Sequence, residues 1–154
     1  MSGGVLGEPM RILDAYRLAA ELHAGQTDKS ARPYIEHLTR VFLKVLAAGG
    51  DRYQQIAALL HDAIEDGRAT AESLAAAGVP AQSITLVLAL TRRGSEPYEQ
   101  YVSRALATPG AALIKRADVE DNSDPDRLAL LGEETAARLA RKYAKAISLL
   151  DQQI

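Results

Sequence analysis

The chain has 154 residues, with 18 basic and 20 acidic side chains, 47% hydrophobic residues and no cysteine. This length and composition predict one folded domain and exclude a disordered chain. The near balance of charge argues against a nucleic-acid partner, and the absence of cysteine excludes disulfide bonds and thiolate metal sites.

Neither the N-terminal segment nor the longest apolar run indicates export or membrane insertion. MSGGVLGEPM lacks the basic stretch and apolar core of a signal peptide. ITLVLAL at 84–90 is far shorter than the roughly 20 residues that span a bilayer. We therefore expect a soluble, cytoplasmic protein with no membrane partner.

Helices predominate in the predicted secondary structure. Apolar residues recur every three or four positions between glycine and proline breaks, which predicts an all-α helical bundle without strands. The first five predicted helices run from Pro9 to Gly25, Tyr34 to Gly49, Asp51 to Gly67, Thr70 to Gly78 and Pro80 to Leu90. The fifth is apolar on nearly all sides, so we expect it at the centre of the bundle.

Further helices are predicted in the second half of the chain. They cover 95–107 and 111–122, and two more begin at Asp124-Pro125 and at about Glu133. In the first of these, Ser95, Glu96 and Pro97 are predicted to form the cap and the first turn. The last helix has an apolar stripe that would pack on the bundle, and further apolar surface on it would suit a homodimer.

The stretch ALLHDAIEDG at 58–67 combines a histidine and three carboxylates with an apolar helix face. On the predicted helix, His61 and Glu65 share one side, and Asp62 and Asp66 share the adjacent side. Carboxylates next to a hydrophobic core lose hydration and repel each other, a cost that a cation would offset. The pattern therefore predicts a bound metal ion.

Two residues outside this stretch are candidates to complete a metal site. His37 lies in PYIEHLTRV at the edge of the buried side of the second helix, and Asp118 borders an apolar stripe in LIKRADVEDN. With His61 and Asp62 they offer imidazole nitrogens and carboxylate oxygens, and they leave positions for water or a substrate oxygen. This mixed set suits a six-coordinate divalent cation, with Mn²⁺ the best match.

The blocks HAGQ, PYIEH, ALLHDAIED and IKRADVEDN together resemble the HD superfamily of metal-dependent phosphohydrolases. They are most similar to the hydrolase domain of RelA/SpoT enzymes and to its stand-alone single-domain relatives, which remove pyrophosphate from guanosine tetra- and pentaphosphate alarmones. The resemblance runs from about Ala15 to the final helix. It implies a single HD-type domain over 1–154, with its core at about 9–151.

The resemblance also implies roles for individual residues. It implies metal binding by His37, His61, Asp62 and Asp118, activation of water by Glu65 and Asp66, and positioning of the nucleotide by Asn122. Four cations lie near these blocks, where their charges would neutralise phosphoryl oxygens: Lys29, which is the first choice, Arg32, Lys115 and Arg116.

Some positions depart from the family pattern or have a structural interpretation. Asp28 stands where RelA/SpoT-type hydrolases usually have arginine, and Arg116, Glu120 and Asp121 are expected to change the rim of the pocket. His23 is interpreted as a structural residue that bonds the following loop, and Tyr34 and Tyr98 as packing residues.

The expected partner is a small-molecule nucleotide, and three functions remain open. The leading one is hydrolysis of (p)ppGpp at its 3′-diphosphate. The second is hydrolysis of another nucleotide phosphate, such as the 2′-phosphate of NADPH. The third is a non-catalytic module that binds a nucleotide and regulates a partner.

Overall fold

The computed structural model describes residues 9–152, and within that range the chain forms α-helices and no strand. The helices are α1 (Ile12–Leu22), α2 (Tyr34–Ala47), α3 (Arg52–Leu60), α4 (Ala71–Ala76), α5 (Ala81–Ala89), α6 (Tyr98–Leu106), α7 (Ala111–Asn122), α8 (Pro125–Leu128) and α9 (Glu133–Asp151). The predicted all-α fold is confirmed.

Residues 1–8 and 153–154, which include most of the N-terminal segment interpreted above, lie outside the described range. No helix between residues 9 and 152 has both the length and the apolar character needed to cross a bilayer.

Three helices begin at side-chain caps that the sequence predicts. The Asp51 carboxylate accepts a hydrogen bond from the Gln54 N–H at 2.8 Å, and the Thr70 hydroxyl accepts one from the Ser73 N–H at 3.0 Å. The Asp124 carboxylate accepts from N–H groups in the first turn of α8. These caps satisfy N–H groups that the start of a helix leaves unpaired. The predicted starts of α3, α4 and α8 are therefore confirmed.

Two other helices begin later than predicted. α1 starts at Ile12, because Asp14 accepts a hydrogen bond from the Arg11 N–H at 3.0 Å and fixes Arg11 as the last residue before the helix. α6 starts at Tyr98 rather than at residue 95. A proline disfavours the helical conformation in the residue before it, and Pro97 itself has an extended ψ of 142°.

The largest difference from prediction lies at the end of α3, which stops at Leu60 instead of continuing to Gly67. The His61 Nδ1–H donates to the Ala58 carbonyl at 2.7 Å, and the Ala63 N–H bonds to the Leu60 carbonyl at 3.0 Å in a tighter turn. Residues 61–67 therefore form a series of turns. The prediction that these side chains share the faces of one continuous helix is therefore wrong.

The centre of the bundle is α3. Residues 56–60 are fully buried, and the helix packs against α1, α2, α5 and α7. The prediction that α5 is central is wrong, because α5 packs against α3 and α4 and leaves Leu88 46% exposed. The central position of α3 carries the residue that follows it, His61, into the protein interior.

The last helix, α9, packs over α6 and α7. Of the predicted stripe, Leu139 and Leu150 are buried, and Tyr143 and Ile147 are partly buried against the core. The large apolar side chains exposed between residues 9 and 152 lie on other parts of the chain: Leu13, Tyr16, Leu43, Leu46, Leu88 and Leu130. The exposed apolar residues of α9 are small, namely Ala137, Ala140 and Ala144, and the homodimer stays a prediction.

Candidate active site

Four side chains from three parts of the chain converge beside a cavity. His37 comes from α2, His61 and Asp62 come from the turns after α3, and Asp118 comes from α7. Each offers one ligand atom, and these atoms all lie within 4.8 Å of one another. We call these four residues the metal-ligand cluster.

Short distances join the imidazoles and carboxylates of this cluster. His37 Nε2 lies 3.1 Å from Asp118 Oδ1, and His61 Nε2 lies 3.2 Å from the same oxygen. His61 Nε2 is also 3.2 Å from Asp62 Oδ2. Imidazole nitrogens and carboxylate oxygens together suit a borderline divalent cation. The donor set therefore fits one such ion.

Both imidazoles of the cluster are held through their other nitrogen. The His61 Nδ1–H donates to the Ala58 carbonyl at 2.7 Å, and the His37 Nδ1–H donates to the Asp121 carboxylate at 2.7 Å. This leaves Nε2 of each ring directed at the cluster carboxylates. Such hydrogen bonds orient metal-binding histidines and select their tautomer.

The carboxylates of the cluster require nearby positive charge. Burial by itself lowers the pKa of His61, but the charges of Asp62 and Asp118 outweigh burial and raise this pKa to about 9. Burial by itself raises the pKa of Asp62, and the charge of His61 brings that pKa down to about 2. Imidazolium protons or a metal ion can supply the charge that these buried acids need.

Asp121 joins His37 to two arginines. Its carboxylate accepts from Arg40 Nε at 2.6 Å and from Arg127 Nη1 at 2.9 Å. The expectation that Asp121 changes the pocket rim is wrong, because the residue is 2% exposed and lies behind His37. The sequence does carry a signal that Asp121 lies near the cluster. Asp121 follows Asp118 by three residues, a spacing that places both carboxylates on one side of a helix.

Tyr34 has a polar role as well as the packing role predicted for it. Its hydroxyl donates to Asp62 Oδ2 at 2.5 Å. Burial and the negative charge of Asp62 both raise the pKa of this phenol, so it remains a donor. The ring packs against His37, with centroids 5.4 Å apart. Tyr34 therefore orients one candidate ligand while it supports another.

Glu65 and Asp66 line the cavity next to the cluster. Glu65 accepts a hydrogen bond from the Arg92 N–H at 2.7 Å, and Asp66 accepts one from Gln26 Nε2 at 2.9 Å. Desolvation raises the pKa of both carboxyl groups. His23 Nδ1 bonds to Gln26 Oε1 at 2.7 Å, which confirms its predicted structural role in the following loop.

Lys115 and Asn122 approach the cluster from α7, and both line the cavity, whose volume is about 250 Å³. Lys115 Nζ lies 3.2 Å from Asp118 Oδ2, and the Asn122 amide donates to Asp118 Oδ1 at 3.1 Å. Burial alone lowers the pKa of Lys115, but the charge of Asp118 raises it well above its ordinary value. Lys115 is therefore a buried, permanent cation.

The remaining cations lie partly inside and partly outside the cavity lining. Lys29 is exposed and lines the cavity. Arg32 is outside the cavity lining and pairs with Glu36 at 2.7 Å, so the structure does not bring it to the site. Arg92 and Lys142 line the cavity although the sequence analysis did not select them. Neither lies beside a recognisable block, so no local signal could have found them.

Comparison with known proteins decides the family. The HD domain family matches residues 15–113, which is more than half of the chain. This chain belongs to the HD domain family. Its fold is similar to a solved structure described as "A metazoan ortholog of SpoT hydrolyzes ppGpp and plays a role in starvation responses". That similarity has a TM-score of 0.77 at 25% identity and covers 93% of this chain and 87% of the other, which confirms the HD-type helical fold.

This HD domain also resembles segments of longer curated proteins. It is 38% identical over 119 residues to guanosine-3′,5′-bis(diphosphate) 3′-pyrophosphohydrolase of Aquifex aeolicus, covering 72% of this chain and 17% of that protein. It is 41% identical over 64 residues to bifunctional (p)ppGpp synthase/hydrolase SpoT of Escherichia coli, covering 42% of this chain and 9% of that protein. The chain thus spans less than one fifth of the length of these relatives. The predicted similarity to RelA/SpoT-type proteins is confirmed.

Asp28 of this HD domain, the departure from the family pattern, has partners on both carboxylate oxygens. Oδ1 accepts from the backbone N–H groups of Ser30 at 2.9 Å and Arg32 at 3.0 Å. Oδ2 pairs with Arg127 at 2.9 Å, and both side chains line the cavity. The negative charge at this position is therefore offset by an arginine from α8.

Proposed function

We propose that this HD domain is a divalent-metal-dependent phosphohydrolase that removes the 3′-diphosphate of guanosine tetra- or pentaphosphate. The proposal is carried by the convergence of four donor atoms within 4.8 Å beside a cavity lined by cations. A divalent ion and fixed cations suit the charge of a diphosphate ester. Similarity to a guanosine-3′,5′-bis(diphosphate) 3′-pyrophosphohydrolase supports a guanosine nucleotide as the substrate.

His37, His61, Asp62 and Asp118 are the proposed ligands, with Mn²⁺ as the proposed ion. Their nitrogen and oxygen donors match a borderline cation that accepts mixed ligands. When bound, the ion would lower the pKa of water and shield the negative charge of the phosphoryl oxygens.

Glu65 is the proposed general base, and Asp66 is proposed to orient the attacking water. Glu65 lies outside the ligand set, and its carboxylate is fixed by the Arg92 N–H at 2.7 Å. Desolvation raises its pKa, which makes the carboxylate a better proton acceptor. Glu65 takes the proton from water, while Asp66, held by Gln26, accepts a hydrogen bond from the same water.

Lys29, Lys115 and Asn122 are proposed to bind the nucleotide. The lysines would neutralise phosphoryl oxygens, and Lys115 is held in the cavity wall by its ion pair with Asp118. The Asn122 amide has two N–H groups, so it can donate to the nucleotide as well as to Asp118. Arg32 is left out of this set, because its guanidinium pairs with Glu36 outside the cavity lining.

A turnover assay on Mn²⁺-loaded protein tests this function. The substrates are guanosine tetraphosphate, guanosine pentaphosphate and NADPH, and we expect intact pyrophosphate from the two guanosine nucleotides. Orthophosphate from NADPH alone would favour the 2′-phosphatase. Saturable binding of a nucleotide without any product would favour the regulatory module.

Two matched variants test the assigned site in the same assay. Asp62→Asn is expected to reduce turnover more than about 100-fold and to lower the metal content measured by elemental analysis, because it removes a proposed ligand. Asp126→Asn removes one exposed carboxylate from α8 and is expected to leave both quantities unchanged. Equal turnover in the two variants would contradict the assignment.

A further inference from the structure

A second concave surface lies beside the cavity, and we call it the α6–α9 groove. It is lined by residues 97–100, at the start of α6, and by Arg138, Arg141, Lys142 and Lys145 of α9. The groove is open to solvent and has a volume of about 620 Å³, so an extended, hydrated group can enter it. The roles proposed for the metal-ligand cluster do not account for this surface.

The groove concentrates positive charge. The spacing of its four basic residues places them on one face of α9. Glu99 is the acidic residue in the lining, and it pairs with Lys145 at 3.0 Å. Arg138 and Arg141 are exposed and make no ion pair within residues 9–152. Since the whole chain has a formal charge of −2, a basic composition does not explain this cluster.

The groove is continuous with the cavity through Tyr98 and Lys142, which line both. Lys142 Nζ lies 4.6 Å from the Tyr98 ring centroid, and Lys115 Nζ lies 5.5 Å from the same centroid. Lys115 in turn pairs with Asp118 of the metal-ligand cluster at 3.2 Å. A line of cations thus extends from the cluster, past the Tyr98 ring, into the groove.

The junction between cavity and groove favours an anion. Burial lowers the pKa of Lys142, and the charges of Lys115, Arg92 and Lys29 lower it further. These cations repel one another, and a phosphate group between them would relieve that repulsion. The first turn of α6 also lines the groove, and N–H groups at a helix start lack intrahelical acceptors.

We propose that the α6–α9 groove binds the 5′-phosphate chain of the nucleotide whose 3′-diphosphate is hydrolysed at the metal-ligand cluster. This inference rests on the proposed function. The 3′ and 5′ oxygens leave opposite sides of a ribose, so a nucleotide with phosphates on both needs two separate anion sites joined by a continuous surface. Arg138 and Arg141 then determine how strongly the enzyme distinguishes substrates by the length of the 5′ chain.

The experiment compares guanosine 3′-diphosphates that carry one, two or three phosphates on the 5′ oxygen. The measured quantity is the ratio of kcat/KM for the longest chain to kcat/KM for the shortest. We expect this ratio to fall about tenfold in the double variant Arg138→Ala/Arg141→Ala, because two charge-assisted contacts to the distal phosphates are lost. The control Arg17→Ala/Arg52→Ala removes the same charge away from the groove lining and should keep the wild-type ratio.

The outcomes separate this inference from the proposed function. If the wild-type protein hydrolyses the three substrates and the groove variant keeps the wild-type ratio, the groove assignment is overturned. If the wild-type protein hydrolyses none of them, the proposed function fails, and the groove is tested by calorimetric titration with inorganic tripolyphosphate. Weaker binding in the groove variant than in the control then supports an anion site, and equal binding overturns it.

Discussion

At the scale of single residues, the Tyr34 hydroxyl supports Asp62 from 28 positions earlier in the chain, through a hydrogen bond of 2.5 Å. We predict that Tyr34→Phe weakens Mn²⁺ binding about tenfold, because the carboxylate loses the group that orients it while the ring packing remains. Isothermal titration calorimetry measures the dissociation constant. Tyr16→Phe, which removes a hydroxyl from the exposed face of α1, is the control, and equal affinities in the two variants would refute the role of Tyr34.

Ala31 is the one non-glycine residue between residues 9 and 152 with a positive φ, at 64°. This left-handed conformation costs a residue with a Cβ about 1–2 kcal/mol, a cost that glycine removes. Glycine also gives the unfolded chain more conformational freedom, which lowers the free energy of unfolding by about 0.4–1 kcal/mol. We predict that Ala31→Gly raises the free energy of unfolding by about 0.5–1 kcal/mol, measured by urea denaturation. Ala24→Gly, at a position without positive φ, should lower it, and a loss of stability in both variants would contradict the prediction.

At the scale of elements, an ion pair between Glu96 and Arg104 ties the segment before α6 to the body of that helix. Glu96 Oε2 lies 3.0 Å from Arg104 Nε, and the Arg93 N–H donates to Glu96 Oε1 at 3.1 Å. The Arg104 guanidinium, followed by the Arg93 N–H, lowers the pKa of Glu96 from 4.5 to about 2. A carboxyl group whose pKa falls on folding stabilises the protein above its unfolded pKa. That contribution is lost as the pH drops from 4.5 towards 2.

We therefore predict that, as the pH drops from 4.5 to 2, the free energy of unfolding of Glu96→Gln falls less steeply than that of the wild type. Urea denaturation at a series of pH values provides the measurement. Glu99→Gln breaks a pair whose side chains are 61% and 66% exposed, so its profile should follow the wild type. A Glu96→Gln profile parallel to the wild-type profile would rule out a role for this ion pair in acid stability.

At the scale of the whole molecule, the metal-ligand cluster joins α2, the turns after α3, and α7. A ligand that binds only the folded chain stabilises it by mass action, by about 2.7 kcal/mol at 100 times its dissociation constant. We predict that Mn²⁺ raises the Tm of the metal-free protein and that a chelator reverses the shift, as followed by circular dichroism. His61→Ala should abolish the shift, whereas His23→Ala, which changes a buried histidine outside the cluster, should retain it. An Mn²⁺ shift of equal size in both variants would exclude His61 as a ligand.

The sequence by itself determined the all-α class, most helix starts and the choice of candidate ligands. Helix starts depend on local chemistry, such as the Asp51 carboxylate that caps α3. The candidate ligands could be selected because the chain has three histidines, and His37 and His61 lie, with Asp62 and Asp118, in blocks that resemble HD phosphohydrolases. These features depend on residue type and on spacing over one or two helical turns, and both are written in the sequence.

Tertiary structure alone decided which distant groups surround the candidate ligands. α3 packs against α1, α2, α5 and α7, and this packing carries His61 and Asp62 from its end towards His37 of α2 and Asp118 of α7. The packing of α2 against α7 sets Asp121 behind His37, and the position of α9 brings Lys142 to the cavity while Arg32 stays outside it. Such contacts depend on how helices far apart in the chain pack together, and no local spacing of residues encodes that packing.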